Sequence, residues 1–123
     1  MNLLITILIL LIPICLYSQV EIADDNFNLQ MDKTAHLTTS FGLYFTFYTL
    51  YSDSLIPTLY HTIPIPMNSM LSATLVGFSY ELYQGTRFSN SDGFSKHDMI
   101  YNLIGIGLAR FTHEFFLYFR EVM

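Results

Sequence analysis

Three pairs of polar residues occur at spacings that place both members of a pair on one face of a helix. The pairs are Asp32 with His36, Glu81 with Gln84, and Asp98 with Asn102. Carboxylate oxygens and imidazole nitrogens bind divalent metals, and helical bundles build such sites from side chains on facing helices. The same groups donate and accept protons in acid–base catalysis. If the fold brings the pairs together, the sequence predicts a metal site or an acid–base site.

A structural interpretation of these residues is open as well. The sequence has no H-x-x-x-H or E-x-x-H pair, which are strong helical metal signatures. Two basic residues could instead form ion pairs with two of the carboxylates: Lys33 and Arg87 with Asp98 and Glu81. Ser95 is a good N-cap residue, and Asp98 would then lie in the first turn, where a carboxylate favours the helix dipole. A network of caps and ion pairs is therefore the alternative to a ligand site.

Helices are expected to position these residues, and their limits follow from the apolar runs between polar segments. The first run, Thr34 to Tyr51, has eighteen residues without Asp, Glu, Lys or Arg. It predicts a helix long enough to approach the hydrocarbon thickness of a bilayer. A strand is the alternative for Tyr44 to Tyr51, where β-prone aromatic residues are frequent. The length of the run and its lack of turn signals favour the helix.

The connection to the second helix is marked by proline. Three of the four prolines of the chain occur between residues 52 and 67, namely Pro57, Pro64 and Pro66. Because proline lacks a backbone N–H and clashes with the preceding turn, a continuous helix is excluded there. The second helix is predicted at 68–84, with Asn68 or Ser69 as its N-cap residue.

The third helix is predicted at 96–119, after a loop rich in Ser, Asn, Asp and Gly. Gly105 and Ala109 form a small-x-x-x-small pair on it, which lets another helix approach closely. Because the first connection is short and the third helix begins where the second ends, the polar ends of all three should meet. The predicted polar cluster consists of Asp32, Lys33, His36, Glu81, Gln84, Arg87, Asp98 and Asn102.

The N-terminal segment has the order of a targeting sequence. Residues 1–19 carry no charged side chain and place an aliphatic run before Pro13 and a polar end, as in a signal peptide. An uncleaved membrane anchor is the alternative. Residues 20–31 are predicted to form a linker, and 32–123 the helical domain. Cys15 is the single cysteine, so no internal disulfide forms; an inert thiol and a lipidation site are its two interpretations.

The composition limits the class of protein and its partners. Apolar residues make up 52% of the chain and charged residues 12%, about half the usual share. Lipid or a partner, such as an envelope protein or a second copy of the chain, is therefore expected to cover part of the surface. A formal net charge of −5 argues against nucleic acid, which basic side chains bind. The predicted fold is all-α, a membrane-associated bundle of three main helices after a signal or anchor segment.

The same polar residues carry a resemblance. Segments LQMDKTAHLTTSF (29–41) and YELYQGTRFSNSDGFSKHDMIYNLIGIGLA (80–109) resemble the YfiM-like family of predicted periplasmic lipoproteins. That family has D-K-x-x-H at a helix start, an acidic residue at the end of the next helix, and G-F-S-x-x-D before a small-residue helix. The pattern is also similar to VanZ-like membrane proteins, where E-x-x-Q, an arginine and D-x-x-x-N-x-x-G recur. The resemblance implies an envelope location and a functional polar cluster, but it does not indicate which reaction or ligand the cluster serves.

Three functions are compatible with the sequence. The first is a cell-envelope protein, in the membrane or periplasm, whose polar cluster binds a ligand or partner. The second is a metal-dependent or acid–base hydrolase of an envelope lipid or glycan, using Asp32, His36, Glu81 and Asp98. The third is a structural membrane component whose polar end only caps helices. Bound metal or a perturbed pKa among these four residues would favour the enzyme, and an open ligand-sized pocket without either would favour binding. The sequence does not identify a cofactor.

Overall fold

A computed structural model describes residues 31–86 and 93–123, which form three α-helices. These are α1 (Met31–Ser52), α2 (Ile65–Gly85) and α3 (Lys96–Val122). Helix α1 packs against both of the others, most extensively against α3. The described residues contain no β-strand, and the β-prone stretch of the sequence lies within α1. The predicted all-α three-helix bundle is confirmed.

Some predictions concern residues that lie outside the described ranges. The signal or anchor segment and nearly all of the linker fall within residues 1–30, and Arg87 falls within 87–92. Met31, assigned to the linker, is instead the first residue of α1. Among the described helices, no segment combines the length and the hydropathy that a membrane span requires.

Helix α1 ends in a motif that the sequence does not predict. The Leu55 N–H donates to the Leu50 carbonyl at 2.9 Å, and the Ser54 N–H donates to the Tyr51 carbonyl at 3.1 Å. This is a Schellman motif, which needs a left-handed residue just after the helix. Ser54 takes that conformation, with φ at +56°, where glycine is more usual. The chain therefore leaves α1 sharply and turns back toward α2.

Helix α2 begins three residues earlier than predicted, so the predicted start at residue 68 is wrong. Pro64 precedes the helix and Pro66 lies in its first turn, where no intrahelical N–H bond is required. The predicted N-cap residues, Asn68 and Ser69, are inside the helix, and no side chain caps it. Asn68 instead accepts a hydrogen bond from the Tyr60 N–H and donates to the carbonyls of Tyr60 and Ile63. It holds the α1–α2 connection in place.

Helix α3 begins as the sequence predicts and runs three residues further, to Val122. The Ser95 hydroxyl accepts a hydrogen bond from the Asp98 N–H at 3.0 Å, which confirms the predicted N-cap. Gly105 faces α1 so closely that a Cβ there would overlap the carbonyl group of Leu37. The small-residue position therefore sets the separation of α1 and α3, as the sequence suggests.

The interior of the bundle is partly polar. Its buried apolar side chains are Tyr44, Tyr51, Ala73, Leu82, Phe94, Tyr101, Ile106 and Ala109. Four residues of the predicted polar cluster are buried as well: Lys33, Glu81, Asp98 and Asn102. Charged groups are almost never fully buried unless they are paired, so the partners of these four need to be identified.

Candidate functional site

The ends of α1 and α3 are joined by a buried ion pair. Lys33 Nζ donates to Asp98 Oδ1 at 2.7 Å, and the two side chains are 3% and 6% exposed. Lys33 lies in the first turn of α1, and Asp98 lies in the first turn of α3, where Ser95 caps the helix. The pair therefore places the second carboxylate oxygen of Asp98, Oδ2, beside the next turn of α1.

His36 occupies that next turn, and oxygen atoms face both of its ring nitrogens. Nδ1 is 3.3 Å from Asn102 Oδ1 and 3.5 Å from Glu81 Oε1. Nε2 is 3.5 Å from Asp98 Oδ2 and 3.7 Å from Asp32 Oδ1. These separations are longer than the roughly 2.7–3.2 Å of good hydrogen bonds. The imidazole thus lies at the centre of the cluster without a short bond to any of its neighbours.

Glu81 reaches the cluster from the end of α2 and is completely buried. Its Oε2 accepts a hydrogen bond from the Ser95 N–H at 3.1 Å, while Oε1 has no hydrogen-bond partner. Burial raises the pKa of Glu81 from its ordinary value near 4.5 to about 7. The Ser95 N–H and the charge of His36 lower this pKa, and the nearby Asp98 and Asp32 raise it. The Glu81 carboxyl group therefore changes between its protonated and ionised forms near neutral pH.

Asn102 completes the cluster from the second turn of α3. Its Oδ1 accepts a hydrogen bond from Ser40 Oγ at 2.7 Å and faces His36 Nδ1, whereas its Nδ2 is buried without a hydrogen-bond partner. Ser40 is absent from the predicted cluster. The signal that could have found it is its spacing, since Ser40 follows His36 by four residues and shares its helix face.

A cleft of about 390 Å³ opens beside this cluster between α1 and α2, with Asn102 contributed by α3. Its polar side chains include His36, Asn102 and Gln84, and the Tyr80 ring lies 6.1 Å from the His36 ring between centroids. Its remaining lining residues are Asp32, Ala35, Thr39, Ser40, Leu43, Val76 and Gly77. The cleft therefore combines an apolar wall with the edge of the polar cluster.

The predicted site residues divide into three groups. The structure brings six of them into mutual contact: Asp32, Lys33, His36, Glu81, Asp98 and Asn102. Gln84 lines the cleft beside them. Arg87 lies outside the described residues. Asp32 differs from the other contacting acids because its side chain is 63% exposed, so it forms the outer edge of the cluster.

Three of these side chains could hold a metal ion. Asp32, His36 and Asp98 each offer one ligand atom, and the three atoms lie within 4.8 Å of one another. Two ligands come from α1 and one comes from α3, so the Lys33–Asp98 pair that joins these helices also fixes the spacing of the three. Nitrogen and carboxylate oxygen ligands in this combination suit divalent ions.

A second polar group lies further along the bundle, and the sequence did not reveal it. The Tyr44 hydroxyl is 2.7 Å from His113 Nδ1. The Tyr48 ring packs edge-on against the His113 ring, with 4.2 Å between the ring centroids. Burial raises the pKa of Tyr44, and burial with the nearby Arg110 lowers the pKa of His113. Arg110 in turn forms an ion pair with Glu114. None of these residues lines the cleft.

Comparison with models of protein families, with curated proteins and with solved structures gave no match to this chain. The likeness to YfiM-like and VanZ-like proteins therefore remains an expectation from the sequence. The side chains and the cleft are the basis for assigning a function.

Proposed function

We propose that the protein is a cell-envelope protein that binds a small amphipathic ligand in the cleft between α1 and α2. The cleft itself carries this proposal. Its volume of about 390 Å³ lies within the range of small-molecule sites, roughly 300–1,000 Å³. Leu43 and Val76 provide apolar lining, and His36 and Asn102 provide polar groups, which is the combination typical of such sites.

The polar part of the ligand follows from the unpaired atoms. Asn102 lines the cleft, and its Nδ2 is a buried donor with no hydrogen-bond partner among the described residues. Leaving such a donor unpaired costs about 1–3 kcal/mol, which a small turn of the amide toward an acceptor on a ligand would recover. The carboxylates of Asp32 and Asp98 nearby disfavour an anion. An uncharged acceptor, such as an amide carbonyl or a sugar hydroxyl, therefore fits best.

Two features support the envelope location. The order of the polar residues resembles the YfiM-like pattern, which implies that location. The second half of α3 also exposes four phenylalanines: Phe111, Phe115, Phe116 and Phe119. Exposed aromatic clusters of this kind mark contacts with other proteins or with membranes. Membrane association is part of the proposal for this reason.

The test is a thermal-shift screen of the purified full-length protein with uncharged amphipathic compounds, namely short-chain alkyl glycosides and monoacylglycerols, and with N-acetylated amino sugars. At least one compound should raise the melting temperature. Ala35→Phe, which fills the cleft from an exposed position on α1, should abolish that shift. The matched control Thr46→Phe is exposed on the same helix outside the cleft and should preserve it. Binding in the cleft would be contradicted if no compound raised the melting temperature, or if the rise persisted in Ala35→Phe.

An acid–base hydrolase is the second candidate, and the pKa of Glu81 is the observation that favours it. A carboxyl with a pKa of about 7 is suited to proton transfer at neutral pH. Glu81 does not line the cleft, so it would act behind His36, which does. Turnover of an envelope lipid or glycan that His36→Gln abolishes and His61→Gln leaves intact would support the enzyme. Saturable binding without turnover would support a binding protein.

A further inference from the structure

The geometry points to a divalent transition-metal site formed by Asp32, His36 and Asp98 at the polar edge of the cleft. This metal site rests on the proposed function only in its position beside the same cleft. The ion can bind without an organic ligand. Asp32 and His36 supply the ligands from α1, and Asp98 supplies its Oδ2 from α3.

The distances around His36 Nε2 fit a shared ion better than they fit hydrogen bonds. Nε2 is 3.5 Å from Asp98 Oδ2 and 3.7 Å from Asp32 Oδ1. In a tetrahedral site with bonds of about 2.0–2.2 Å, ligand atoms lie roughly 3.3–3.6 Å apart. Good hydrogen bonds are shorter, at about 2.7–3.2 Å. The third separation, between the oxygens of Asp32 and Asp98, is within 4.8 Å, so these two side chains would close around an ion.

The other ring nitrogen of His36 has the environment of a metal-binding histidine. Such a histidine donates its second N–H to a carboxylate or carbonyl oxygen, which fixes the tautomer and the ring orientation. His36 Nδ1 faces Asn102 Oδ1 at 3.3 Å and Glu81 Oε1 at 3.5 Å. With Nδ1–H directed at these oxygens, the lone pair of Nε2 is available to an ion.

Glu81 provides an observation that is independent of the three ligands. It is completely buried, and its Oε1 has no hydrogen-bond partner although it is aimed at His36. An unpaired carboxylate oxygen in the interior is costly unless positive charge develops nearby. Coordination of an ion at Nε2 polarises the imidazole and strengthens Nδ1–H as a donor. The ion would thus strengthen the contact of Nδ1–H with the Glu81 oxygen that has no other partner among the described residues.

The charges of the described cluster also favour a cation. Three carboxyl groups, those of Asp32, Glu81 and Asp98, face one lysine and one histidine. Lys33 occupies Oδ1 of Asp98, so it leaves Oδ2 for the ion and holds that carboxylate in position. A divalent ion would balance the remaining negative charge at the outer edge, where Asp32 is exposed.

The ligand set selects among ions. One imidazole and two carboxylates suit Zn²⁺ and related transition metals, whereas Mg²⁺ and Ca²⁺ prefer sites made only of oxygen. By the usual order of affinities, Zn²⁺ should bind more tightly than Mn²⁺. Three protein ligands leave at least one coordination position for water or a ligand from the cleft.

Calorimetric titration of the EDTA-treated, tag-free full chain with ZnCl₂ tests the site, with MnCl₂ and MgCl₂ for comparison. One Zn²⁺ should bind per chain, more tightly than Mn²⁺, with Mg²⁺ weakest. Asp32→Asn should weaken Zn²⁺ binding by about tenfold or more. Because the Asp32 side chain is exposed, this variant should still fold. Asp53→Asn, an exposed acid in the α1–α2 connection, is the matched control and should leave the affinity unchanged.

A second pair of variants separates the histidines. His36→Gln should weaken Zn²⁺ binding at least as much as Asp32→Asn, while His61→Gln, at an exposed loop position, should not. Absence of Zn²⁺ binding, or equal affinity in Asp32→Asn and Asp53→Asn, would overturn the site. Zn²⁺ should still bind to Ala35→Phe, which fills the cleft and keeps all three ligands. If the ligand screen fails while Zn²⁺ still binds, only the proposed function is overturned. If a ligand binds in the cleft while Zn²⁺ does not bind, only the metal site is overturned.

Discussion

Lys33 and Asp98 are 65 positions apart in the chain, yet their side chains form an ion pair of 2.7 Å inside the bundle. The contact fixes the first turn of α1 against the first turn of α3. The distances from His36 to Asp98 and to Asn102 depend on this alignment, because His36 belongs to α1 and the other two belong to α3.

Asp98→Asn should therefore cost more than the loss of a helix-capping charge. Capping effects amount to about 1 kcal/mol, whereas removal of one partner from a buried ion pair costs about 3–5 kcal/mol. We expect the free energy of unfolding in urea to fall by about 3 kcal/mol, because the Lys33 ammonium would stay buried without a counter-charge. Adding Lys33→Met should recover more than half of the loss. A cost of 1 kcal/mol or less for Asp98→Asn would mean that capping is its only structural role.

Two glycines of α3 provide a matched test of the α1–α3 contact. Gly105→Ala would force a Cβ into the carbonyl group of Leu37, so the helices must separate, at a cost of about 1–3 kcal/mol. A Cβ at Gly107 meets nothing within 4 Å, so Gly107→Ala should stabilise the helix by about 0.5–1 kcal/mol. Urea unfolding of both variants measures the difference. Equal stabilities would show that α1 and α3 are not held at this separation.

Glu81 should make the protein less stable as the pH rises. Burial raises its folded pKa to about 7, above its ordinary value near 4.5. Between these values the folded state keeps a proton that the unfolded state loses, so a rise in pH lowers the free energy of unfolding. The stability of the wild type relative to Glu81→Gln should fall by a few kcal/mol across this window. Urea unfolding with EDTA present checks it, and a flat or rising difference would contradict the raised pKa.

His113 should produce a pH dependence of the opposite sign. Burial and the charge of Arg110 lower its folded pKa, and the opposing effect of Glu114 is smaller. Tyr44 and Tyr48 face the ring from α1. The unfolded state therefore takes up a proton first as the pH falls below about 6.5, and the folded state loses stability.

The matching measurement compares His113→Gln with His61→Gln. The stability advantage of the wild type over His113→Gln should shrink as the pH falls below about 6.5. His61→Gln, at an exposed loop position, should show no such change. If the two variants behave alike in urea unfolding at pH 5 and pH 8, the buried histidine does not contribute.

The sequence predicted the helices where it carried local signals and failed where a rule was applied too strictly. Ser95 is a side-chain cap that acts on adjacent backbone, so the start of α3 could be predicted. The start of α2 was missed because proline disrupts a helix interior and is tolerated in a first turn, as at Pro66. Asn68 has the composition of a cap, but its amide bonds to the preceding loop.

The site was partly predictable for a different reason. Short connections between antiparallel helices determine which ends meet, so the neighbourhood of Asp32, Glu81 and Asp98 follows from chain order. The inward face of α1 could not be predicted, because its aromatic residues occur on all sides and give no clear apolar stripe. The contact of Tyr44 with His113 depends on that face and was missed, whereas the four-residue spacing of Ser40 from His36 was an overlooked signal for its contact with Asn102.

The Asn68 amide ties the start of α2 to the loop before it. It uses its oxygen for one backbone N–H and its nitrogen for two carbonyls, and it is completely buried. A carboxylate at this position would lose both donated hydrogen bonds and place a negative charge beside two carbonyl oxygens. Loss of the amide would therefore loosen the α1–α2 connection, while the Glu81 end of α2, about 20 Å along the helix, keeps its own contacts.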